Sequence, residues 1–233
     1  MKKIPVVLGI ARSARSAQPS SEQTSAALPA ELKQKLFERD DYTCQCCGFV
    51  SEKYQDIHFI NGVSSDQRPE NMLTTCIFCH QCFNLDKIGT MRSGVLVWLP
   101  EMEQTSLHHV ARAIYVARIS QGPMAEAARR ALDIIMGRRE DALHRLGTDD
   151  PYILASVMQD YISEKSYENR GKKLDGIRLF PLDRRIIKEG DLEFNQFPQI
   201  LAYWRSKDWP FGGKQPKEWA PFYENIKQAT GTA

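Results

Sequence analysis

Six cysteines, all between Cys44 and Cys82, are the residues of this chain whose type and spacing most directly imply chemistry. They read Cys44-Gln45-Cys46-Cys47-Gly48 and, further on, Cys76-Ile77-Phe78-Cys79-His80-Gln81-Cys82. A C-x2-C pair holds two thiolates on one tight turn, and a second pair brought alongside completes a tetrahedron suited to Zn²⁺. Gly48 stands where the chain must turn under the ion at positive φ, which glycine does without strain. Cys44, Cys47, Cys76 and Cys79 are therefore the expected zinc ligands. Cys46 and Cys82 leave a second register open, since Cys79 and Cys82 also form a C-x2-C pair. Disulfides or unliganded buried thiols are the alternative use of these residues. Cysteines gathered in a metal-type pattern point to a reducing compartment, the cytoplasm.

A second polar set lies over the same stretch: His58, Asn71, His80 and Asn84. Their order and spacing resemble the HNH endonuclease motif. The resemblance implies His58 as a strand histidine acting as general base on water attacking a phosphodiester, and Asn71 as the residue orienting it. His80 and Asn84 would hold a divalent metal that stabilises the developing charge. The chain departs from the motif at Ile57, where a histidine or aspartate ligand normally stands. An apolar side chain cannot coordinate, and Asp56 is expected on the opposite face of the strand. The plainer alternative is a strand histidine satisfied by Asn71 and a helix histidine beside the zinc.

These residues need elements to carry them. With 233 residues and 42% hydrophobic content, the chain can bury a core as one domain or two small ones. A net charge of +2 neither demands nor excludes a nucleic-acid partner. Ile4 to Ala11 follows Lys2-Lys3 and loosely imitates a signal peptide, but it is short and carries Pro5 near its start, so it reads as a buried β-strand. No later run reaches the length of a membrane span. Ser13 to Ser25, rich in Ser, Ala and Gln, reads as a linker or mobile arm. From Pro29 a helix places Leu32, Leu36 and Phe37 on one face. Tyr54 to Ile60 reads as a strand, Asn61-Gly62 as a turn and Asp66 to Glu70 as a loop. The run from Pro69 through Cys79 to Leu85 reads as the start of a helix, and Gly94 to Pro100 as a further strand.

Beyond that point the pattern is helical. Leu107, Val110, Ala111, Ile114 and Tyr115 trace one amphipathic helix from about Glu101, Met124 to Leu146 a second ended by Gly147, and Pro151 to Ser163 a third. The second carries Arg129, Arg130, Arg138, Arg139 and Arg145, interspersed with Glu126, Asp133, Glu140 and Asp141, which reads as a solvated face. Further helices are expected from Asp191 to Trp204 and from Pro221 to Ala229. The fold expected is α+β: a small zinc-braced, HNH-like ββα core with a larger helical C-terminal part. Residues 1–28 would form an N-terminal strand and mobile arm, 29–100 the zinc-binding HNH-like domain, and 101–233 a helical region with an aromatic tail.

Four further stretches carry a broader resemblance: Phe37 to Gln45, Tyr54 to Ile57, Cys76 to Phe83 and Leu96 to Glu101, joined later by Ile177-Arg178-Leu179-Phe180-Pro181. Together they resemble the IcmJ/DotN family of type IVB secretion coupling complexes, from about Leu36 to Trp204. The resemblance implies an HNH-like zinc fold with Cys44, Cys47, Cys76 and Cys79 as ligands. It also implies a structural, non-catalytic adaptor on the cytoplasmic tail of the coupling ATPase, beside secretion chaperones. Such a protein would be cytoplasmic and recruited to the inner membrane through that ATPase, with no direct membrane insertion and no nucleic-acid partner. The family pattern does not require histidines where His58 and His80 stand, so this chain lies nearer to a nuclease than the resemblance implies.

The tail gathers Trp204, Trp209, Phe211 and Trp219 in a short stretch containing Pro and Gly. Large rings bury much area for few rotatable bonds, which suits an interface anchor for the ATPase tail, or a cover over the chain's own helices.

Overall fold

The first helix, α1, runs over Ala30–Arg39 and is fastened to the following strand pair by its C-terminal end. Asp40 is 6% exposed, and its carboxylate accepts from the Thr74 backbone N–H at 2.9 Å and from the Arg39 guanidinium. Arg39 in turn donates to the Met72 carbonyl at 2.8 Å. These charge-assisted bonds fix the angle at which the chain enters the cysteine turn. A computed structural model describes residues 3–11, 28–206 and 216–219.

Strands β1 (Gln55–Phe59) and β2 (Met72–Cys76) pair antiparallel, with Ile57 opposite Thr74 and Phe59 opposite Met72. Helix α2 (Ile77–Cys82) follows β2 without a loop, and α3 (Leu85–Met91) follows α2. The helix expected to begin at Pro69 is thus a 3-10 turn over Pro69–Asn71 and then a strand. Met72-Leu73-Thr74-Thr75-Cys76 is buried at every position, and its threonines favour the pleated conformation. One face of the pair sets Ile57, Phe59 and Met72 against Leu28 and Leu36 in a small apolar cluster.

Strand β3 (Gly94–Trp98) pairs antiparallel with β4 (Ile177–Pro181), joining the chain across the boundary placed at residue 100. Between them run α4 (Gln104–Arg118), α5 (Pro123–Gly137), α6 (Arg139–Leu146) and α7 (Pro151–Asp160), then the short α8 (Glu164–Glu168) and α9 (Arg170–Lys173). The single helix expected over 124–146 is broken at Arg138, whose carbonyl accepts from the Trp98 N–H at 3.1 Å. A hairpin of β5 (Ile186–Glu189) and β6 (Leu192–Asn195), where a helix was expected from Asp191, leads to α10 (Phe197–Arg205) and a 3-10 turn at Pro216–Glu218. The class is α+β, and the helical part is the larger one. No helix among the described residues is long and apolar enough to cross a membrane.

The main core unites the cysteine turns with Leu107, Ala111 and Tyr115 of α4, Phe180 of β4, and Phe197, Ile200 and Trp204 of α10. A second core packs Leu85 and Ile88 of α3 against Leu154 and Met158 of α7 and against Leu96 and Leu179.

The N-terminal strand expected over Ile4 to Ala11 pairs with no ladder. It is an extended strap across the second core, with Leu8 and Ile10 each 5% exposed. Its backbone bonds are met singly: Gly9 N–H to the Cys82 carbonyl at 2.8 Å, Leu85 N–H to the Gly9 carbonyl at 3.0 Å, and Arg170 Nε to the Leu8 carbonyl at 2.9 Å. The Tyr167 hydroxyl accepts from Ile10 N–H at 3.0 Å and donates to its carbonyl at 2.8 Å. A Cβ at Gly9 would lie 2.8 Å from that hydroxyl, so a larger residue would have to displace the Tyr167 side chain. The linker expected at 13–25 and the last helix expected at 221–229 lie outside the described residues.

Candidate metal centre

Cys44 and Cys47 sit on a tight turn closed by the bridge between Thr43 and Val50. Gly48 has φ of 77° and donates to the Cys44 carbonyl at 2.8 Å, the left-handed turn expected of a glycine after the second cysteine. Cys76 ends β2 and caps α2, its sulfur accepting from the Cys79 N–H at 3.4 Å. The sulfur atoms of Cys44, Cys47, Cys76 and Cys79 all lie within 4.8 Å of one another, a set that can hold a metal ion and fits zinc binding. All six cysteines are free. Of the two not in this set, Cys82 turns its thiol to the Phe78 carbonyl at 3.5 Å, and Cys46 is buried beside the cluster.

Close packing sets the thiols against one another. Contacts from Cys46, Cys47, Cys76 and Cys79 hold Cys44 far below the usual thiol range. Burial, then Cys44, pushes Cys76 well above that range, and Cys44 leads the contacts that raise Cys79. Four neighbouring sulfurs ionise together only around a cation.

Helix α4 supplies a layer behind the sulfurs that sequence reasoning missed. Gln104, His108 and Arg112 recur every fourth residue and are 5%, 0% and 1% exposed. Gln104 Oε1 accepts from the Leu179 N–H at 2.9 Å, so its Nε2 donates to the Leu179 carbonyl and to His108 Nε2, each at 2.8 Å. That fixes the tautomer: His108 Nε2 is the acceptor, and Nδ1–H donates to Cys79 Sγ at 3.3 Å. Arg112 Nη2 donates to Cys76 Sγ at 2.8 Å. Burial alone would lower the Arg112 pKa, but the cysteines, Cys76 foremost, raise it overall. His109 Nε2 lies 3.0 Å from the Cys47 carbonyl, and Cys47 raises its pKa. The available signal was phase: these polar residues fall on the same face as Leu107, Ala111 and Tyr115.

The histidine and asparagine set is only partly brought together. His58, His80 and Asn84 line a cavity of about 440 Å³ with Phe83, Lys87 and Tyr167. The His58 ring stacks on Phe83 at 4.0 Å and lies 6.4 Å from the His80 ring. Burial, then His80, lowers the His58 pKa to about 3. Asn84 Nδ2 donates to the His80 carbonyl at 2.8 Å. Asn71 does not orient the His58 imidazole: its Oδ1 accepts from Asn61 N–H at 3.0 Å and its Nδ2 donates to the Asp66 carbonyl at 2.8 Å, pinning a loop. Ile57, 1% exposed, belongs to the small apolar cluster on the far face. Asp56 shares the face of His58 and approaches both His80 Nδ1 and Arg185 at 3.6 Å, a neighbour that strand alternation made available.

In the tail, Trp204 is 1% exposed in the main core, edge-on to Phe78 and Phe197 at 5.6 and 5.9 Å, so its ring is not presented to a partner. Trp219 is half-buried against the same core. Trp209 and Phe211 lie outside the described residues.

No protein-family model matches the chain. It is similar to the type 4 apparatus protein DotN of Legionella pneumophila subsp. pneumophila, 33% identical over 161 residues, which cover 67% of this chain and 75% of that protein.

Proposed function

The chain belongs to the DotN family, and on that premise we propose that it is a zinc-stabilised structural subunit of a type IVB secretion coupling complex that binds the cytoplasmic tail of the coupling ATPase. The observation that carries this reading is the closed sulfur cluster. Four sulfurs lie within 4.8 Å of one another and each of these cysteines is at most 4% exposed, so an ion held by all four would brace the fold with no coordination position left for a substrate. Soft sulfur donors in this geometry favour zinc over the hard divalent cations. On this reading the subunit works in the cytoplasm beside secretion chaperones and reaches the inner membrane through the ATPase. Trp209, Phe211 and Trp219 contribute to the grip, while Trp204 serves the core. The test is elemental analysis of the purified chain, expected to give one zinc, followed by co-purification with its own coupling ATPase. A zinc-loaded chain that fails to hold the ATPase would contradict the adaptor assignment.

The cavity holding His58, His80 and Asn84 favours a second reading, a zinc-braced HNH nuclease acting on DNA with a divalent metal. Ile57 in its own apolar cluster and Asn71 engaged with loop backbone weigh against it. Plasmid DNA is expected to stay intact with Mg²⁺ or Mn²⁺. Nicking that disappears in His58→Ala would establish the nuclease.

A further inference from the structure

Arg112 is a charge with no ordinary reason to be where it is. The residue is 1% exposed, and its Nε and Nη1 have no hydrogen-bond partner. The guanidinium lies 3.9 Å from the Phe49 ring centroid, 4.9 Å from that of Phe78 and 5.9 Å from that of Trp204, so aromatic faces hold it in place. No acidic side chain pairs with it among the described residues, although Arg39, Arg118, Arg138, Arg139 and Arg185 each have such a partner. Among the described residues its one polar contact is Cys76 Sγ. Guanidinium cannot shed its proton inside a protein, and leaving it buried without an opposite charge is strongly unfavourable. The charge that answers it must therefore belong to the sulfurs.

We propose that Arg112 is the built-in counter-charge of the cysteine cluster, which it holds as a four-thiolate, dianionic metal centre, and that it sets how tightly the metal is kept. This rests on the reading that the cluster carries a divalent ion. Four thiolates around such an ion sum to a charge of minus two, buried where no water can compensate it. Arg112 offsets part of that charge directly, and the His108 N–H to Cys79 spreads another part along a hydrogen-bond chain anchored at Leu179. Without metal, the same arginine still donates to Cys76, but no ordered four-thiolate centre stands opposite it. Arg112 thus favours the loaded state over the empty one. An arginine that merely fills space would affect both alike.

The experiment uses the full chain as wild type, Arg112→Met and Arg112→Lys, with zinc affinity from competition against graded chelators and unfolding midpoints with and without metal. The expected result is zinc binding weaker by about 10–100-fold in Arg112→Met, with Arg112→Lys intermediate. The loss of unfolding midpoint in Arg112→Met should be larger in the zinc-loaded chain than in the metal-free one. Unchanged zinc affinity in Arg112→Met would overturn the proposal. So would an equal loss of midpoint in the loaded and empty chains, which is what packing alone gives. Should Met not be accommodated, Arg112→Lys against Arg112→Gln makes the same comparison between a charged and an uncharged polar side chain. A wild-type chain that takes up no metal removes the reading on which this stands, whereas a zinc-loaded wild type with an indifferent Arg112→Met removes this proposal alone.

Discussion

Cys79 and His80 are adjacent on α2, yet they serve two clusters built in opposite ways. Cys79 turns inward to three other sulfurs, with α4 behind them supplying an imidazole N–H and a guanidinium. His80 turns the other way, into a cavity where Asp56 lies 3.6 Å away and Asn84 bonds the His80 carbonyl. In the first cluster the four sulfurs converge, and His108 and Arg112 each donate to one of them. In the second the polar groups satisfy one another or a loop, and Asn71, which the motif would recruit, is engaged elsewhere. Ligand types at the right spacing therefore do not make a site by themselves. What distinguishes the two clusters is whether a further layer of residues orients the first.

The widest separation between the clusters should appear on losing a ligand. Cys44→Ser or Cys79→Ser is expected to abolish zinc in elemental analysis and to unfold the surrounding segment by circular dichroism. Structural zinc in small sites contributes on the order of 10 kcal/mol of folding free energy. Cys46→Ser and Cys82→Ser should keep the metal, and zinc lost from Cys82→Ser but retained in Cys76→Ser would place the ligand register elsewhere.

Next in size is the packing that backs the sulfur cluster. Trp204→Ala removes a ring enclosed by Phe49, Phe78 and Phe197 and should cost about 3–5 kcal/mol in urea unfolding. A loss of ATPase binding with unchanged stability would instead restore Trp204 as a surface anchor. His108→Ala leaves one of the two Gln104 Nε2 hydrogens without an acceptor and Cys79 without the imidazole donor, a cost of about 1–3 kcal/mol accompanied by faster zinc release to a chelator. An unaltered release rate would show that His108 fills space only.

The cavity should respond least. At neutral pH His58→Gln is expected to shift stability by about 1 kcal/mol or less. Its signature is in acid. Because the folded imidazole titrates near 3, it stays neutral while an unfolded chain, titrating near 6.5, takes up a proton. The stability this group confers is complete above about 6.5 and is lost as pH falls toward 3. His58→Gln should therefore show a shallower decline of the thermal midpoint than wild type across that window, with acid release of zinc common to both. Parallel declines would mean that His58 is solvated.

Much of this was legible because it is local. The paired C-x2-C turns, Gly48 after the second cysteine, the β1 strand and the helix of Leu32, Leu36 and Phe37 each depend on residues within a few positions of one another. What escaped depends on partners far along the chain. Met72 to Cys76 became a strand because β1 was there to pair with it, and the helix over 124–146 is broken at Arg138, whose carbonyl accepts from both Trp98 and Ala142. Nothing in the local sequence singles out Arg112 on its amphipathic helix. Only the fold shows that its face meets four sulfurs rather than solvent.

The strap of residues 3–11 carries a consequence in time. Its backbone is held by Tyr167 and Arg170, 157 and 162 residues further along the chain. At a synthesis rate of about 5–20 residues per second, the strap waits on the order of ten seconds for partners that the ribosome has not yet made. Both cysteine turns emerge well within that interval, so the sulfurs can capture their ion while Leu8, Ile10 and the groove that receives them are still open to water. The strap is then made well before the partners that place it. During that wait the nascent chain exposes an apolar segment with unpaired backbone groups, a natural target for a general chaperone and the point from which misassembly would start.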